Sequence, residues 1–436
     1  SDVKKTVLVS AFHLVFVSVA AKILSFAVRI LLARELSSEA MNLYALASPT
    51  MVFLIAIVQQ GIPSALSKLT AQQEGSKPLF ASAMITMLTT AAVMSVYVLV
   101  LPYFAGGILH HAELVPVLRA IIPLLPFVAL SGLLKGYLYG RQQHFAANNA
   151  QLYEEGSRLL FLLAFFAAWD IRDPAMLAAA AMISVSVGEI VSCLYMMLRL
   201  RVPFARARRM PSALRGVSLS AMREVLSISM PMMGSRLSGS LTYFLEPILM
   251  LALIPASAQD AMVQTYGLLN GYTLPLLTMS GFLSVTLSNY LLPSFTYALA
   301  HAQKKQARRQ CLLILTCCFF FGALCSLGCF FFHEELFTLF YHTSKGSQQL
   351  RALALPFLFF ALQSPLSALM HACSLSTRAF RDTLYGSLFR LSAVCLLSPL
   401  LEEDALLLGL CGGMLITTFL HAFRLLSFWR RRAACG

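Results

Sequence analysis

Charge is what this chain has least of. Asp, Glu, Lys and Arg make up 12% of its 436 residues, against about 25% in soluble domains. A composition that poor in charge excludes an ordinary water-soluble fold. Acid is scarcer than base, 19 residues against 33, which leaves a formal net charge of +14. Among the ten cysteines no CxxC pair occurs, and no grouping of Cys, His, Asp and Glu has metal-ligand spacing. The thiols, such as Cys317, Cys318, Cys325 and Cys329, are therefore read as packing groups in apolar stretches. His13 and His371, each alone in apolar sequence, are read the same way. The first apolar stretch has no signal-peptidase site and is too long for a signal-peptide core, so it is expected to remain as a membrane span.

Hydrophobic residues replace the charge, at 58% of the chain, with a mean hydropathy of +0.75. A span needs about 20 mainly apolar residues. The chain has room for twelve, over 6–33, 41–69, 79–104, 116–139, 147–169, 175–198, 225–254, 262–296, 311–332, 352–374, 384–401 and 405–428. The fold class expected is an all-α polytopic membrane protein with about twelve transmembrane helices in two six-helix lobes around a central cavity. The N-terminal lobe covers 1–198, a basic linker 199–223 and the C-terminal lobe 224–436. Segments 41–69 and 262–296 are overlong, so each is expected to tilt or break, at Gly61-Ile62-Pro63 and at Pro293. Proline removes a backbone donor and clashes with the preceding turn.

The linker, Arg199 to Arg223, holds seven arginines and no acid. It cannot enter hydrocarbon, and the positive-inside rule puts it in the cytoplasm beside anionic head groups. Phe204 is its one aromatic residue, so nucleic acid is not its expected partner. The other predicted cytoplasmic loops raise the basic count on that side to twenty, with Lys4, Lys5, Lys77, Arg141, Lys304 and Arg430 among them. The opposite loops hold four, Arg34, Arg172, Lys345 and Arg351, together with acids such as Glu334 and Glu402. This split predicts an even number of spans with both termini in the cytoplasm. It also accounts for the net charge without an anionic macromolecular partner.

Ile62-Pro63-Ser64 in the second span and Leu292-Pro293-Ser294 in the eighth occupy equivalent places, and Tyr44 and Tyr266 stand near the starts of those spans. Two like-oriented lobes with substrate held between them are a common transporter plan.

Some charges fall inside the spans. Lys68, Arg119, Lys135 and Arg424 lie near span ends, where snorkelling is expected. Lys22, Arg29, Glu154, Glu155, Arg158, Glu189, Arg236, Glu246 and Arg390 lie deeper. Each would cost at least about 2.5–3.5 kcal/mol facing lipid at mid-membrane, so they are expected to face one another or water. Lys22 and Arg29 share one face of the first span. They are read either as cations presented to an anionic substrate or as structural partners of Glu189 or Glu246. Glu155 and Arg158 can pair along their own helix, while Glu154, rotated about 100° from Glu155, points elsewhere. Arg236 sits in the small-residue run from Gly234 to Ser240. Cations from both lobes would suit a diphosphate or a carboxylate. Gln59, Gln60, Gln264 and Asn270 are read as substrate contacts or as hydrogen bonds between packed helices.

Several segments resemble a known family. Lys22-Ile-Leu-Ser-Phe-Ala-Val-Arg-Ile-Leu-Leu-Ala-Arg34 is similar to the first span of the stage V sporulation protein B and lipid II flippase families. Gly61-Ile-Pro-Ser-Ala-Leu-Ser-Lys68 resembles the second span of the sporulation branch, and Lys135-Gly-Tyr-Leu-Tyr-Gly-Arg-Gln with Tyr153-Glu-Glu-Gly-Ser-Arg158 its fourth and fifth. Gly271-Tyr-Thr-Leu-Pro-Leu-Leu and Leu292-Pro-Ser resemble its eighth. The match covers most of the chain and points to the polysaccharide-biosynthesis branch of the multidrug/oligosaccharidyl-lipid/polysaccharide (MOP) exporter superfamily. The resemblance implies two six-helix lobes, a cavity with alternating access, and a polyprenyl-diphosphate-linked saccharide moved from the inner to the outer leaflet. It also matches Lys22, Arg29 and Arg34 to cations facing that cavity. Two features depart from the pattern. Gln59 and Gln60 stand where lipid II flippases carry arginine and acid, and the expected span number is twelve, as in the drug-antiport branch, rather than fourteen.

The function expected is therefore a flippase or exporter of such a saccharide, in the cell membrane of a bacterium, acting as a monomer among membrane lipids and not as an enzyme. Substrate binding is expected at Lys22, Arg29, Arg34, Arg158, Arg236, Arg390, Gln60 and Asn270. Glu154, Glu155, Glu189 and Glu246 are expected to balance charge or carry a coupling ion, H+ or Na+, with no other cofactor and no metal. Gly61, Pro63 and Pro293 are the expected hinges. Two other readings stand beside this one. The first is a proton- or sodium-coupled multidrug or metabolite antiporter of the same superfamily, whose cavity would work through acidic and aromatic groups. The second is a membrane-embedded transferase, which needs acid/base or metal-binding groups at a membrane face. Glu402-Glu403-Asp404 is the one acidic cluster there, and a solvated turn explains it.

Overall fold

Backbone polar groups in a membrane must be satisfied within the segment that carries them, so apolar stretches of this length become helices. The computed structural model describes residues 2–72, 77–200, 217–279, 281, 284, 295, 298, 303–401 and 403–434. Among these residues the secondary structure is helical, without a strand. Nine helical stretches among them are long and apolar enough to cross a membrane. The basic residues 201–216 and the expected hinge Pro293 lie outside the described residues.

The chain divides into two compact units, residues 1–244 and 245–436. The first holds α1 (Asp2–Glu35), α2 (Ser38–Gln59), α3 (Ile62–Gln72), α4 (Lys77–Tyr103), α5 (Leu114–Arg119), α6 (Leu124–Gly140), α7 (His144–Ala168), α8 (Pro174–Leu200) and most of α9 (Leu219–Leu253). Ser37 starts α2 by accepting the Ala40 N–H at 3.2 Å on its hydroxyl, a capping bond. Gln60 (φ 46) and Gly61 (φ 69) then turn left-handed, and the helix stops and restarts as α3. Pro63 falls in the first turn of α3, where a missing N–H costs nothing. The overlong second span is thus interrupted at Gln60–Gly61. The fourth expected span, 116–139, is two helices instead of one. Pro123 lies at the join between α5 and α6, and a mean over hydropathy cannot register such a break.

Close packing in this unit depends on glycine. Gly132, Gly136 and Gly140 form one stripe on α6 facing α3. A Cβ on Gly136 would lie 2.6 Å from the Pro63 carbonyl oxygen, and one on Gly140 2.8 Å from that of Ser67. On α8, a Cβ at Gly188 would lie 2.9 Å from the Glu154 carbonyl oxygen, so α7 and α8 touch backbone to backbone there.

The second unit holds the end of α9, α10 (Ala256–Leu268), α11 (Lys304–Phe331), α12 (His333–Tyr341), α13 (Ser347–Ala372), α14 (Ser376–Leu401) and α15 (Glu403–Ala434). α10 runs on into a π-helical turn, Leu269–Thr273. Cys311, Ile314 and Cys318 of α11 pack with Leu366 and Leu369 of α13 and Leu425 of α15, so these thiols serve as core groups. Gly409 and Gly413 let α15 approach α14, with their Cβ positions 3.0 and 2.6 Å from the carbonyl oxygens of Arg390 and Gly386.

Candidate functional site

The first unit gathers charged side chains from four helices into two layers. In one layer, Lys135 of α6 donates to Glu154 of α7 at 3.0 Å, both side chains about three-quarters buried. Glu189 of α8 acts electrostatically on the same pair. It is 7% exposed, and its Oε2 is buried without a hydrogen-bond partner among the described residues, as is Oε2 of Glu155. The Gly188 close approach brings Glu154 and Glu189 together, because it sets the α7 and α8 backbones against each other one residue away.

One turn further along α7 lies the other layer. Arg158 donates from Nε to Ser184 Oγ at 3.1 Å and from Nη2 to the Tyr44 hydroxyl at 3.3 Å. Arg29 of α1 donates from Nη1 to that same hydroxyl at 3.4 Å, its guanidinium 5.8 Å from the ring centre. Ser184 is oriented in turn, donating to the Ala181 carbonyl at 2.6 Å. Tyr44 is 2% exposed.

Two expectations change here. Lys135 does not snorkel to the interface, because a carboxylate on the neighbouring helix is within reach. The Glu155–Arg158 pair that their spacing allows is not formed among the described residues; Arg158 reaches hydroxyls on α8 and α2 instead.

The second unit contains its own ionic groups. Arg390 of α14 meets the fully buried Glu246 of α9 with Nε and Nη2 on the two carboxylate oxygens, both at 2.6 Å. Glu246 is thus held by Arg390 of the same unit. Asp382 of α14, also fully buried, accepts from Arg424 Nε at 2.6 Å, with His421 Nδ1 3.5 Å from its other oxygen. Arg424 thus anchors α15 to α14 rather than snorkelling. Asp382 escaped sequence reading because the expected span began at 384, two residues after it.

The other expected site residues are spread over α1, α9, the α2–α3 break and the π turn. Lys22 is exposed within a span of mean hydropathy 2.0, and Arg34 is exposed in the last turn of α1. Arg236 is exposed on α9. Gln60, at the α2–α3 break with Gly61 and Pro63, donates to Thr89 Oγ1 at 3.1 Å. Asn270 sits in the π turn and donates to the Tyr266 carbonyl at 3.2 Å. The structure therefore joins Arg29 to Arg158 through Tyr44, Glu154 to Glu189 electrostatically, and Arg390 to Glu246. Ser184 and Asp382 carry no signal in the sequence, and Tyr44 and Lys135 stand out there only as a span-start tyrosine and a span-end cation. Among the described residues, no group of three or more His, Cys, Asp or Glu is placed to hold a metal ion.

Known proteins share this architecture. The family described as polysaccharide biosynthesis protein matches residues 7–299. The chain is 27% identical over 433 residues to stage V sporulation protein B of Bacillus subtilis (strain 168), covering 96% of this chain and 83% of that protein. It is 26% identical over 415 residues to sporulation protein YkvU of the same organism, covering 92% and 91%. Among solved structures, the inward-facing conformation of a multidrug resistance MATE family transporter of the MOP superfamily matches with a TM-score of 0.71 at 14% identity, over 96% of this chain and 98% of that one. The lipid II flippase MurJ in an inward closed conformation matches with a TM-score of 0.69 at 16% identity, over 94% and 87%. The fold is that of this transporter superfamily.

Proposed function

We propose that this chain, which belongs to the polysaccharide biosynthesis protein family, is a flippase that carries a polyprenyl-diphosphate-linked saccharide from the inner to the outer leaflet of a bacterial cell membrane by alternating access. One observation carries the reading. Lys22 is exposed in the middle of a helix that is apolar and long enough to cross the membrane. A cation facing hydrocarbon at that depth costs at least about 2.5–3.5 kcal/mol, so it faces water. A water-filled path lined by cations suits anionic cargo. In this reading Lys22, Arg29, Arg34 and Arg158 of the first unit and Arg236 on α9 attract the diphosphate, and Gln60 and Asn270 offer hydrogen bonds to the saccharide. Glu154, Glu155 and Glu189 offset the basic charge when no cargo is bound. Arg390 and Glu246 act together, as a neutral pair that ties α14 to α9. The names of the relatives, a sporulation protein and a lipid II flippase, support cargo of this class.

The test uses purified protein in liposomes with a fluorescent polyprenyl-diphosphate saccharide and an external quencher. Wild type is expected to expose the lipid to the quencher, and a Lys22→Ala, Arg236→Ala double variant to slow this about a hundredfold, as loss of two charge-assisted contacts implies. Equal rates in both would remove these residues from the site. No movement by wild type, with efflux of a cationic dye instead, would overturn the flippase reading in favour of antiport.

A further inference from the structure

Asp382 is a fully buried carboxylate whose two oxygens are unequally served. Oδ1 accepts from Arg424 Nε at 2.6 Å. Oδ2 is buried and makes no hydrogen bond among the described residues. It faces His421 Nδ1 at 3.5 Å, beyond the usual hydrogen-bond range, and that nitrogen is buried and unbonded as well. His421 is 1% exposed. Two polar atoms thus meet inside the second unit without bonding, although buried polar groups are normally satisfied. A neutral imidazole with its proton on Nε2 turns a lone pair towards Oδ2, and two acceptors stand off.

The surroundings are poorly suited to a second positive charge. Asp382 carries one negative charge, and Arg424, three residues from His421 on α15, already takes it. His371 of α13, bonded to Ser376 Oγ at 3.0 Å, acts electrostatically on His421. On α15 itself, Arg424 and the Thr417 carbonyl act on it. One turn from Asp382, α14 meets α15 backbone to backbone. A Cβ on Gly386 would lie 2.5 Å from the Gly413 carbonyl oxygen, and Thr417 stands at the same contact. Packing that close has no slack to absorb an added charge.

We infer that Asp382, His421 and Arg424 form a proton-operated latch between α14 and α15. With His421 neutral, Asp382 belongs to Arg424 and the helices are held together. A proton taken from water onto Nδ1 makes His421 a second cation competing for one carboxylate. The cluster then holds a buried positive charge without a counter-charge. Arg424, whose side chain is 26% exposed, is the member that can leave. The hold is complete well above about pH 6.5, where free histidine titrates, and weakens as pH falls below it. α14 also holds Glu246 of α9 through Arg390, about two turns beyond Asp382, so mobility gained at the latch reaches α9. The latch does not depend on which cargo is carried.

Hydrogen–deuterium exchange of the purified full chain in detergent tests this, read over 376–390 and 413–428 at about pH 8 and about pH 5.5. His421→Gln keeps a neutral polar side chain that takes up no proton in this range. The two proteins are compared at the same pH, so the intrinsic acid dependence of exchange cancels. They are expected to exchange alike at the higher pH. At the lower pH wild type is expected to exchange about tenfold faster in both segments, the scale of one lost hydrogen bond to a charged group. His371→Gln, at an exposed position, is expected to keep the wild-type response. An equal response in wild type and His421→Gln would overturn the latch, and so would loss of the response in His371→Gln instead. A merely structural role for His421 would raise exchange in the variant at both pH values, which would also refute it. Should His421→Gln fail to fold, wild type decides the matter against α3, which holds no histidine or carboxylate. No acid acceleration of the two segments beyond that of α3 would overturn the latch, and about a tenfold excess would support it.

Discussion

Arg390 and Glu246 meet edge to edge, two bonds of 2.6 Å with the carboxylate wholly buried. Burying both charges is expensive, and the pair recovers that cost only while both partners are present. Glu246→Gln alone or Arg390→Gln alone is expected to destabilise the protein by about 3–5 kcal/mol, whereas replacing both with apolar residues of similar volume restores most of the loss. Thermal unfolding in detergent reads this, and additive losses in the double variant would refute the pairing. Sequence marked both residues as charges too deep to face lipid, but not as each other's partner. They are 144 positions apart, and periodicity says which face of a helix a residue occupies without saying which helix lies opposite. Lys135 was misjudged for a related reason: five residues from a helix end, it reads as snorkelling until Glu154 is known to be nearer than the interface. Tyr44 carries no charge, and sequence marks it only by its place near the start of a span, matched by Tyr266, not by its two arginine neighbours.

At the scale of helices, the glycine stripe on α6 sets how closely α3 can lie. A Cβ at Gly136 would meet the Pro63 carbonyl oxygen at 2.6 Å, and backbone cannot step aside as a side chain can. Gly136→Ala is expected to cost about 1–3 kcal/mol by overpacking. Gly328→Ala, where nothing lies within 4 Å of the added carbon, is expected to leave the unfolding midpoint unchanged or slightly raised. Equal midpoints for the two variants would show that α3 and α6 are not in close contact. Hydropathy located the nine stretches that are long and apolar enough to cross a membrane among the described residues, because each is a long run of one character. The α2–α3 break was legible too, since Gly61 and Pro63 are strong local signals. The π turn at Leu269–Thr273 was not: its residues are ordinary helix members, and one extra residue in a turn leaves composition untouched.

Over the whole molecule the strongest signal was the basic bias of alternate loops, which predicts the side of each one. Arg141→Cys and Arg172→Cys, in loops on opposite expected sides, test it with a membrane-impermeant maleimide on intact cells. Arg172→Cys, at a position whose native side chain is 88% exposed, is expected to react at once, and Arg141→Cys only after permeabilisation. The reverse pattern would invert the topology. The chain without either substitution serves as the control for native thiols, of which the described ones are buried or half-buried. The same large-scale view gives the paired charges an electrical meaning. Lys135–Glu154, Arg390–Glu246 and Arg424–Asp382 each lie inside a single unit. A unit that moves carries both members of its pair, so the transmembrane voltage, worth about 2.3 kcal/mol per charge per 100 mV, does no net work on them. Under the proposed flippase reading, the voltage acts instead on the anionic cargo. By cancelling these three pairs in place, the fold lets each unit shift through the membrane field without electrical work on them.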